Sequence, residues 1–192
     1  MKILVTGCAG FIGYHLCKKI CKDKKFRIYG LDNFDRYYDV NLKKNRLKEL
    51  KNNNNFSFSN IDISNKININ NFFKKNKIDI VINLAAQAGV RNSIKNPEKY
   101  FNTNINGFYN LLNTSKNQKI KHFIFASTSS VYGNTSKFPT NELVPTDKPE
   151  SFYAATKKCN EILAYSYSQI YKLPCTCLRF FTVYGPFGRP DM

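Results

Sequence analysis

The amino-acid sequence predicts a doubly wound α/β fold, in which helices cover both faces of a parallel sheet. Short apolar runs alternate with segments of helical periodicity along the whole chain. A glycine-rich turn lies between the first apolar run and the first helical segment, and an aspartate ends the second run. Alternating elements of this kind require parallel strands joined by right-handed crossovers.

The first half of the chain predicts three strand–helix units. The apolar run at 2–6 is the first strand. In the helix predicted at 11–22, Ile12, Leu16 and Ile20 share one face because they are four residues apart. The next elements are predicted as strands at 26–32 and 56–61 and helices at 42–51 and 67–76.

The second half continues the alternation. The run at 78–84 is nearly all apolar, as expected for a strand covered on both faces. Asn96 and Pro97 are typical N-cap and N1 residues, so they predict the start of a helix that runs to about Lys116. The remaining elements are predicted as a strand at 121–127, a polar loop at 133–150, a helix at 153–171 that follows Ser151, and a strand at 175–181.

Length and composition predict a folded globular domain. The chain has 192 residues, 42% of them hydrophobic and 22% charged, which argues against disorder. No apolar run approaches the ~20 residues that a membrane span needs. The run at 3–5 meets Thr6 and Gly7 too soon for the core of a signal peptide. We therefore expect a soluble, cytoplasmic protein with no membrane partner.

The net charge of +17 raises the question of nucleic-acid binding. The chain has 24 Lys against only 6 Arg, and the lysines are spread along the sequence. Asn is also abundant, with 25 residues that include the run 52–55. This pattern favours a compositional bias on solvated faces over a nucleic-acid patch, so no nucleic-acid partner is expected.

The six cysteines and two histidines predict no metal site. No Cys-x-x-Cys pair occurs, and neither His15 nor His122 has ligand spacing to a cysteine. Reduced thiols are favoured over disulfides for a protein of a reducing compartment. The cysteines occupy positions 8, 17, 21, 159, 175 and 177.

The glycine-rich turn TGCAGFIG has the features of a dinucleotide-binding loop. Gly7 allows a tight turn, Gly10 lets the backbone approach a pyrophosphate, and Gly13 lets the helix pack closely on the strand. The N-terminus of the helix then offers free N–H groups to the phosphates. The spacing is Gly-x-x-Gly-x-x-Gly rather than Gly-x-Gly-x-x-Gly, and such a trio could by itself be a packing turn.

The position of Asp32 strengthens the prediction of a dinucleotide site. It ends the second predicted strand, where a carboxylate accepts hydrogen bonds from the ribose diol of adenosine and repels a 2′-phosphate. That chemistry favours NAD over NADP. The alternative role for Asp32 is a carboxylate that caps the loop.

Tyr153 and Lys157 are a candidate catalytic pair. They are four residues apart in a predicted helix, so the phenol and the ammonium project to the same side. A free tyrosine has a pKa near ~10, and a neighbouring cation favours the phenolate. The pattern alone is weak, because any exposed helix can carry it, but here it follows a dinucleotide loop.

A run of hydroxyl side chains, Ser127 to Ser130, ends the fifth predicted strand. The carboxyl ends of the strands face the ligand crevice in open α/β sheets. A hydroxyl there can hydrogen-bond both the tyrosine and a substrate hydroxyl. Each of the four could instead be a polar cap between the strand and its loop.

With these motifs the chain resembles the extended short-chain dehydrogenase/reductase family of NAD-dependent nucleotide-sugar epimerases and dehydratases, which has a Rossmann domain. Five segments follow the order of that family: TGCAGFIG, NLAAQAGVR, STSSVYG, YAATK and LRFFTVYGP. The segments 31–43 and 179–192 are most similar to those of UDP-glucuronate 4-epimerases, the type also found in capsule biosynthesis.

The resemblance implies a role for each matching residue. Tyr153 would be the catalytic base, Lys157 its partner and ribose anchor, and Thr128 the hydroxyl that assists at the sugar O4. The positions that match cofactor contacts are Gly7, Gly10, Phe11, Ile12, Gly13, Asp32, Asp62, Ala85, Asn104, Tyr153 and Lys157. The positions that match substrate contacts are Arg91, Ser129, Thr182 and Arg189.

The resemblance also implies a reaction. Dehydratases of the family have an acidic pair just after the catalytic threonine, where this chain has Ser129 and Ser130, so epimerisation is favoured over dehydration. We expect inversion at C4 of a UDP-sugar, UDP-glucuronate or UDP-galacturonate, through transient oxidation to a 4-keto sugar by retained NAD.

Length is the feature that departs from the family, whose members are considerably longer. We therefore expect residues 1–192 to form an incomplete NAD-binding domain, in which 175–192 supply the sixth strand and the start of a substrate-binding segment. A homodimer or a complementing C-terminal chain would then be the protein partner. A catalytically silent NAD-binding remnant and, more weakly, a basic nucleic-acid-binding module remain the alternatives.

Overall fold

The computed structural model describes residues 1–134, 139–188 and 190, and six parallel strands form its sheet. The strand order is β3-β2-β1-β4-β5-β6, which confirms the doubly wound class predicted from the sequence. The strands are β1 (Lys2–Thr6), β2 (Arg27–Asp32), β3 (Phe56–Asn60), β4 (Ile80–Asn83), β5 (His122–Thr128) and β6 (Cys175–Phe180).

Helices cover both faces of this sheet. They are α1 (Phe11–Ile20), α2 (Val40–Lys51), α3 (Lys66–Lys75), α4 (Val90–Lys95), α5 (Pro97–Tyr100), α6 (Phe108–Asn117) and α7 (Phe152–Tyr171). Two further helical segments are a π-helix at Phe101–Gly107 and a 3-10 helix at Ser129–Tyr132.

Two hydrophobic clusters lie on opposite faces of the sheet. Alternation along β1 sends Leu4 to one cluster and Ile3 and Val5 to the other. The Leu4 cluster packs under α3, α6 and α7, and the second cluster packs under α1 and α2. Burial on both faces explains why β1 and β4 are nearly continuous apolar runs.

Most predicted elements are confirmed to within two residues at each end, and the helix predicted at 96–116 is found at 97–117, although it is not α-helical throughout. It consists of α5, the π-helical segment and α6. Helix α5 begins at Pro97 with Asn96 as its N-cap residue, as predicted, although the Asn96 side chain makes no capping hydrogen bond and its amide donates to Asn92 Oδ1 at 2.9 Å. Helix α4 was not predicted, because six residues carry too little periodicity to be recognised.

Strand β6 is the last strand at one edge of the described sheet and pairs only with β5. Its residues Thr176, Cys177 and Leu178 are exposed, unlike those of the central strands. Among the helices of the described residues, none combines the length and the apolarity needed to cross a bilayer.

Candidate active site

A cleft of about 690 Å³ opens at the carboxyl ends of the strands. Its wall includes residues at the ends of β1, β2, β4, β5 and β6. The strand order reverses between β1 and β4, and open α/β sheets bind their ligands at such a switch point. The fold therefore provides a binding cleft where the sequence places its motifs.

The glycine turn forms a cradle in which side chains have no room. A Cβ at Gly13 would lie 2.1 Å from the Gly7 carbonyl oxygen, and Gly7 itself has a φ of +69°. Gly10 is the N-cap of α1 and offers no side-chain cap, so the first N–H groups of the helix stay available to an anion. Phe11 and Ile12 in the first turn also line the cleft. This backbone cradle fits a pyrophosphate.

Asp32 lies at the end of β2 on the wall of the cleft, where it is 7% exposed. Its carboxylate accepts the backbone N–H groups of Ala9 at 3.1 Å and Phe34 at 2.9 Å. Burial raises the pKa of this carboxyl, and those two hydrogen bonds act in the opposite direction. The two oxygens keep further lone pairs, so Asp32 can both anchor the glycine turn and accept from a ribose diol.

Asp62 lies apart from this cleft. It lines a shallower neighbouring cavity, and its carboxylate accepts from Asn33 Nδ2 at 2.8 Å and from the Ser64 hydroxyl at 2.6 Å. Burial acts to raise the pKa of Asp62, but hydrogen bonds from Ser64 and Asn33 hold it below the usual value. Because Asn33 lines both cavities and donates to Asp62, Asp62 lies next to the part of the cleft that contains Asn33.

The start of α7 holds Tyr153 at the cleft. Ser151 caps the helix by accepting from the Ala154 N–H at 3.0 Å, as its position before the helix predicts. The N–H of Tyr153 donates to Ser93 Oγ in α4 at 3.1 Å. The ring of Tyr153 meets the edge of the buried Tyr100 ring, with centroids 6.2 Å apart. The backbone and the ring of Tyr153 are thus both fixed.

Lys157 follows one turn later and lines the same cleft. It is only 2% exposed, and burial lowers its pKa to about 8, while the neighbouring Cys177 and Glu161 act to raise it. A buried ammonium four residues from a phenol, with both side chains on the wall of one cleft, is the arrangement expected of a Tyr–Lys catalytic pair.

Thr128 ends β5 and lines the cleft with Ser129 and Ser130. Its hydroxyl accepts the Ser130 N–H at 3.2 Å and so caps the 3-10 helix. The structure therefore gives Thr128 the capping role while leaving its hydroxyl on the wall of the cleft.

The other predicted site residues divide into three groups. Ala85, Arg91 and Thr182 line the cleft. Asn104 does not, because its amide is buried and bonds to the backbone N–H and carbonyl of Gln87 and to Thr156 Oγ1. Arg189 lies outside the described residues.

Several residues around the site were not predicted from the sequence. They are Ser93 and Tyr100, which hold Tyr153, and Glu161 and Arg179, which form an ion pair with N and O atoms 2.8 Å apart. Glu161 could have been found, because it lies one helical turn beyond Lys157 on the same face. The contacts of the other three join distant segments and leave no local signal.

The sheet order and this cleft define a Rossmann-type nucleotide-binding protein. Residues 4–192 match the model of the GDP-mannose 4,6 dehydratase family, and the chain belongs to that family. This membership and the fold class agree with the predictions from the sequence.

Relatives in this family are close in sequence. The chain is 52% identical to protein CapI of Staphylococcus aureus over 194 residues, and 48% identical to the UDP-glucuronate 4-epimerase of Thermodesulfobacterium geofontis over 189 residues. These matches cover 100% and 98% of this chain but only 57% and 58% of the relatives. The chain thus spans little more than half of their length.

A solved structure has the same fold. UDP-glucuronic acid 4-epimerase from Bacillus cereus, in complex with UDP-glucuronic acid and NAD, aligns with a TM-score of 0.92 and 41% sequence identity. The alignment covers 100% of this chain and 60% of that one.

Proposed function

We propose that the chain is the NAD-binding and catalytic part of a UDP-sugar 4-epimerase that interconverts UDP-glucuronate and UDP-galacturonate. The observation that carries this proposal is the buried Lys157 beside Tyr153 and Thr128 in one cleft. Relatives named as UDP-glucuronate 4-epimerases support the choice of substrate.

The residues of the cleft fit NAD along its whole length. The turn from Gly7 to Gly13 and the N-terminus of α1 would hold the pyrophosphate, Asp32 the adenosine ribose, and Lys157 the nicotinamide ribose. Bound there, NAD supplies an acceptor that takes a hydride from C4 of the sugar and returns it to the opposite face, so no net redox change occurs.

Side chains of this chain transfer the proton of the sugar O4 hydroxyl. Tyr153, as a phenolate, takes the proton from the sugar O4 hydroxyl, and the adjacent Lys157 ammonium stabilises that phenolate. The Thr128 hydroxyl hydrogen-bonds the same oxygen and orients it. The proton returns to O4 after the keto sugar has turned in the pocket.

The residues after Thr128 favour epimerisation over dehydration. Loss of water from a sugar needs a general acid near the leaving hydroxyl. Ser129 and Ser130, which directly follow Thr128, line the cleft and supply hydroxyls but no carboxyl. We propose that the sugar and its carboxylate are bound by Arg91, Ser129, Thr182 and Arg189.

A Tyr153→Phe variant tests the catalytic assignment. It removes the proton acceptor but keeps the ring that packs on Tyr100. We expect turnover of UDP-glucuronate to fall by at least ~100-fold, a loss typical of general-base catalysis, while bound NAD is retained. Tyr165→Phe, at an exposed tyrosine of the same helix, is the matched control. An unchanged rate in Tyr153→Phe contradicts the assignment.

The second candidate is NAD binding without epimerase activity, which the cleft at the carboxyl ends of the strands would also support. Purified protein that retains NAD but converts no UDP-sugar supports this candidate. Salt-sensitive binding of DNA or RNA without NAD would point instead to the basic surface.

A protein partner is the last part of the proposal. The exposed edge strand β6 is suited to a second copy of the chain or to a complementing C-terminal chain. Either partner would cover the apolar side chains of Leu178 and Phe181, which are 38% and 56% exposed.

A further inference from the structure

Behind the Tyr153–Lys157 pair, side chains from β5 and β6 converge on the carboxylate of Glu161 in α7. Ser127 Oγ donates to Glu161 Oε1 at 2.5 Å. Arg179 donates to both oxygens, from Nε to Oε1 at 3.0 Å and from Nη2 to Oε2 at 2.8 Å. Cys177 Sγ lies 3.5 Å from the same Oε1. One carboxylate thus joins the strand ends to the helix.

This carboxylate is charged although it is largely buried. The side chain of Glu161 is 10% exposed and that of Arg179 is 20% exposed. Burial acts to raise the pKa of Glu161, but hydrogen bonds from Arg179 and Ser127 hold it below the usual value. A two-point contact with a guanidinium also fixes the orientation of the carboxylate.

The cluster is connected to each element that carries a proposed catalytic side chain. Tyr153, Lys157 and Glu161 follow one another at four-residue intervals on α7, so they share one face. Ser127 directly precedes Thr128 in β5. Arg179 extends the cluster, because it also donates to the Tyr132 hydroxyl in the 3-10 helix at 3.2 Å.

The charges around Lys157 come from two elements. Tyr153 and Glu161 lie on its own helix, and Cys177 and Arg179 lie on β6. Burial lowers the pKa of Lys157 to about 8, and negative charge on Cys177 or Glu161 opposes that effect. Cys177 is exposed as a residue, but its Sγ lies against the Glu161 carboxylate; desolvation of the sulfur and the charge of Glu161 raise the pKa of this thiol to about 12, so near neutral pH it is uncharged. Glu161 is then the source of negative charge among these four groups.

We propose that Glu161 is a positioning residue for the Tyr153–Lys157 pair, and that its carboxylate, fixed by Ser127 and Arg179, is the counter-charge of the buried Lys157 ammonium. This inference rests on the proposed function for its catalytic meaning. Without the counter-charge, Lys157 loses its proton at lower pH and no longer favours the Tyr153 phenolate. Arg179 offsets part of the charge of Glu161 and so limits how strongly Lys157 holds its proton.

The test measures the pKa of Lys157 directly in the full chain. Protein labelled with ¹³C at the lysine Cε is titrated by NMR, and Lys157→Arg identifies the resonance. We expect Glu161→Gln, which keeps the shape of the side chain, to lower the pKa of Lys157 by about one unit. Arg179→Met, which leaves the carboxylate without its guanidinium, raises the pKa, and Arg179→Lys restores it towards the original value.

The decisive result is that the pKa of Lys157 shifts in opposite directions in Glu161→Gln and Arg179→Met. A general loosening of the structure would shift this pKa in the same direction in both variants. Glu49→Gln removes the same charge from α2, on the other side of the sheet, and should leave Lys157 unchanged. If Glu161→Gln does not fold, the pKa of Lys157 must rise in Arg179→Met and return towards its original value in Arg179→Lys. An unchanged or lowered pKa in Arg179→Met, or an unchanged one in folded Glu161→Gln, overturns the proposal.

An assay of UDP-glucuronate turnover separates this inference from the proposed function. Where the chain is active, the pH profile of turnover should move with the pKa of Lys157 in each variant. If the chain converts no UDP-sugar but the pKa of Lys157 shifts in opposite directions in Glu161→Gln and Arg179→Met, the proposed function fails. The assignment of Glu161 as the counter-charge of Lys157 then still stands. If the chain converts UDP-glucuronate but the pKa of Lys157 does not shift in the variants, the proposed function stands and the role of Glu161 as counter-charge is overturned.

Discussion

At the scale of single residues, Lys157 shows that the site is built at the expense of stability. The pKa of Lys157 is about 8 in the folded chain, whereas its ordinary value is 10.5. The ammonium therefore binds its proton more weakly after folding. Below pH 8 the folded chain therefore carries an unfavourable buried charge. Between pH 8 and 10.5 the unfolded chain binds more protons, so this residue makes the free energy of unfolding rise with pH.

Replacing Lys157 with Met should therefore stabilise the chain. Met has a similar helix propensity and volume but no charge, so the variant avoids the desolvation of the ammonium. We expect the free energy of unfolding at pH 7 to increase by up to about 3 kcal/mol, from ~1.4 kcal/mol per pKa unit. The difference from the unmodified chain should shrink as the pH rises from 8 towards 10.5.

Urea unfolding at several pH values measures this difference. Lys44→Met, at an exposed lysine of α2, is the control and should change stability by no more than about 0.5 kcal/mol. Equal stability of Lys157→Met and the unmodified chain at pH 7 would mean that Lys157 is not a destabilising buried charge.

The sequence predicts those site residues whose role follows from their position in an element. The glycine turn, Asp32 and Thr128 all stand at strand ends, and the parallel sheet brings such ends to one edge. The Glu161–Arg179 pair could not be predicted with its partners, because the two residues belong to different elements and meet only after α7 packs on β6.

At the scale of elements, the π-helical segment at Phe101–Gly107 is the clearest departure from the predicted structure. A π turn interrupts the regular helix and is often found at functional sites. Here it directs Asn104 inward, where the amide joins the loop after β4 to α7 through Gln87 and Thr156. Helical periodicity does not reveal such a turn, because the flanking apolar spacing stays compatible with one continuous helix.

Asn104→Ala should loosen this junction. The substitution removes the partner of the Gln87 N–H at 2.8 Å and of the Gln87 carbonyl at 3.0 Å, and both backbone groups lie in a buried contact. We expect a loss of about 2–4 kcal/mol in the free energy of unfolding, because each unsatisfied buried group costs ~1–3 kcal/mol. Chemical denaturation of the purified chain measures it.

Asn106→Ala provides the matched control for that experiment. Asn106 lies in the same π-helical segment but is exposed, and its side-chain amide donates a hydrogen bond to Asn102 Oδ1 at 3.1 Å. It should cost no more than about 0.5 kcal/mol. If the free energy of unfolding falls by a similar amount in Asn104→Ala and Asn106→Ala, the buried hydrogen bonds of Asn104 contribute no more to stability than a surface side chain does.

At the scale of the whole molecule, the two edges of the sheet differ in how they are covered. Strand β3 at one edge has Phe56 buried against the cluster under α1 and α2. Strand β6 at the other edge has exposed side chains over three consecutive residues, and the segment after it exposes Phe181 and Tyr184. An exposed, partly apolar edge is a template for pairing with another chain.

We therefore expect the chain to self-associate through β6 in a concentration-dependent way. Sedimentation velocity at ~10 to 200 µM should show the average mass rising with concentration. Leu178→Lys places a charge on the edge, which blocks strand pairing by the same means that natural edge strands use, and it should reduce the association at least ~10-fold. Ile67→Lys, at a more exposed apolar residue of α3, is the matched control and should leave association unchanged. A chain that stays monomeric over this range would contradict the predicted self-association, and equal association of the two variants would place the contact surface elsewhere than β6.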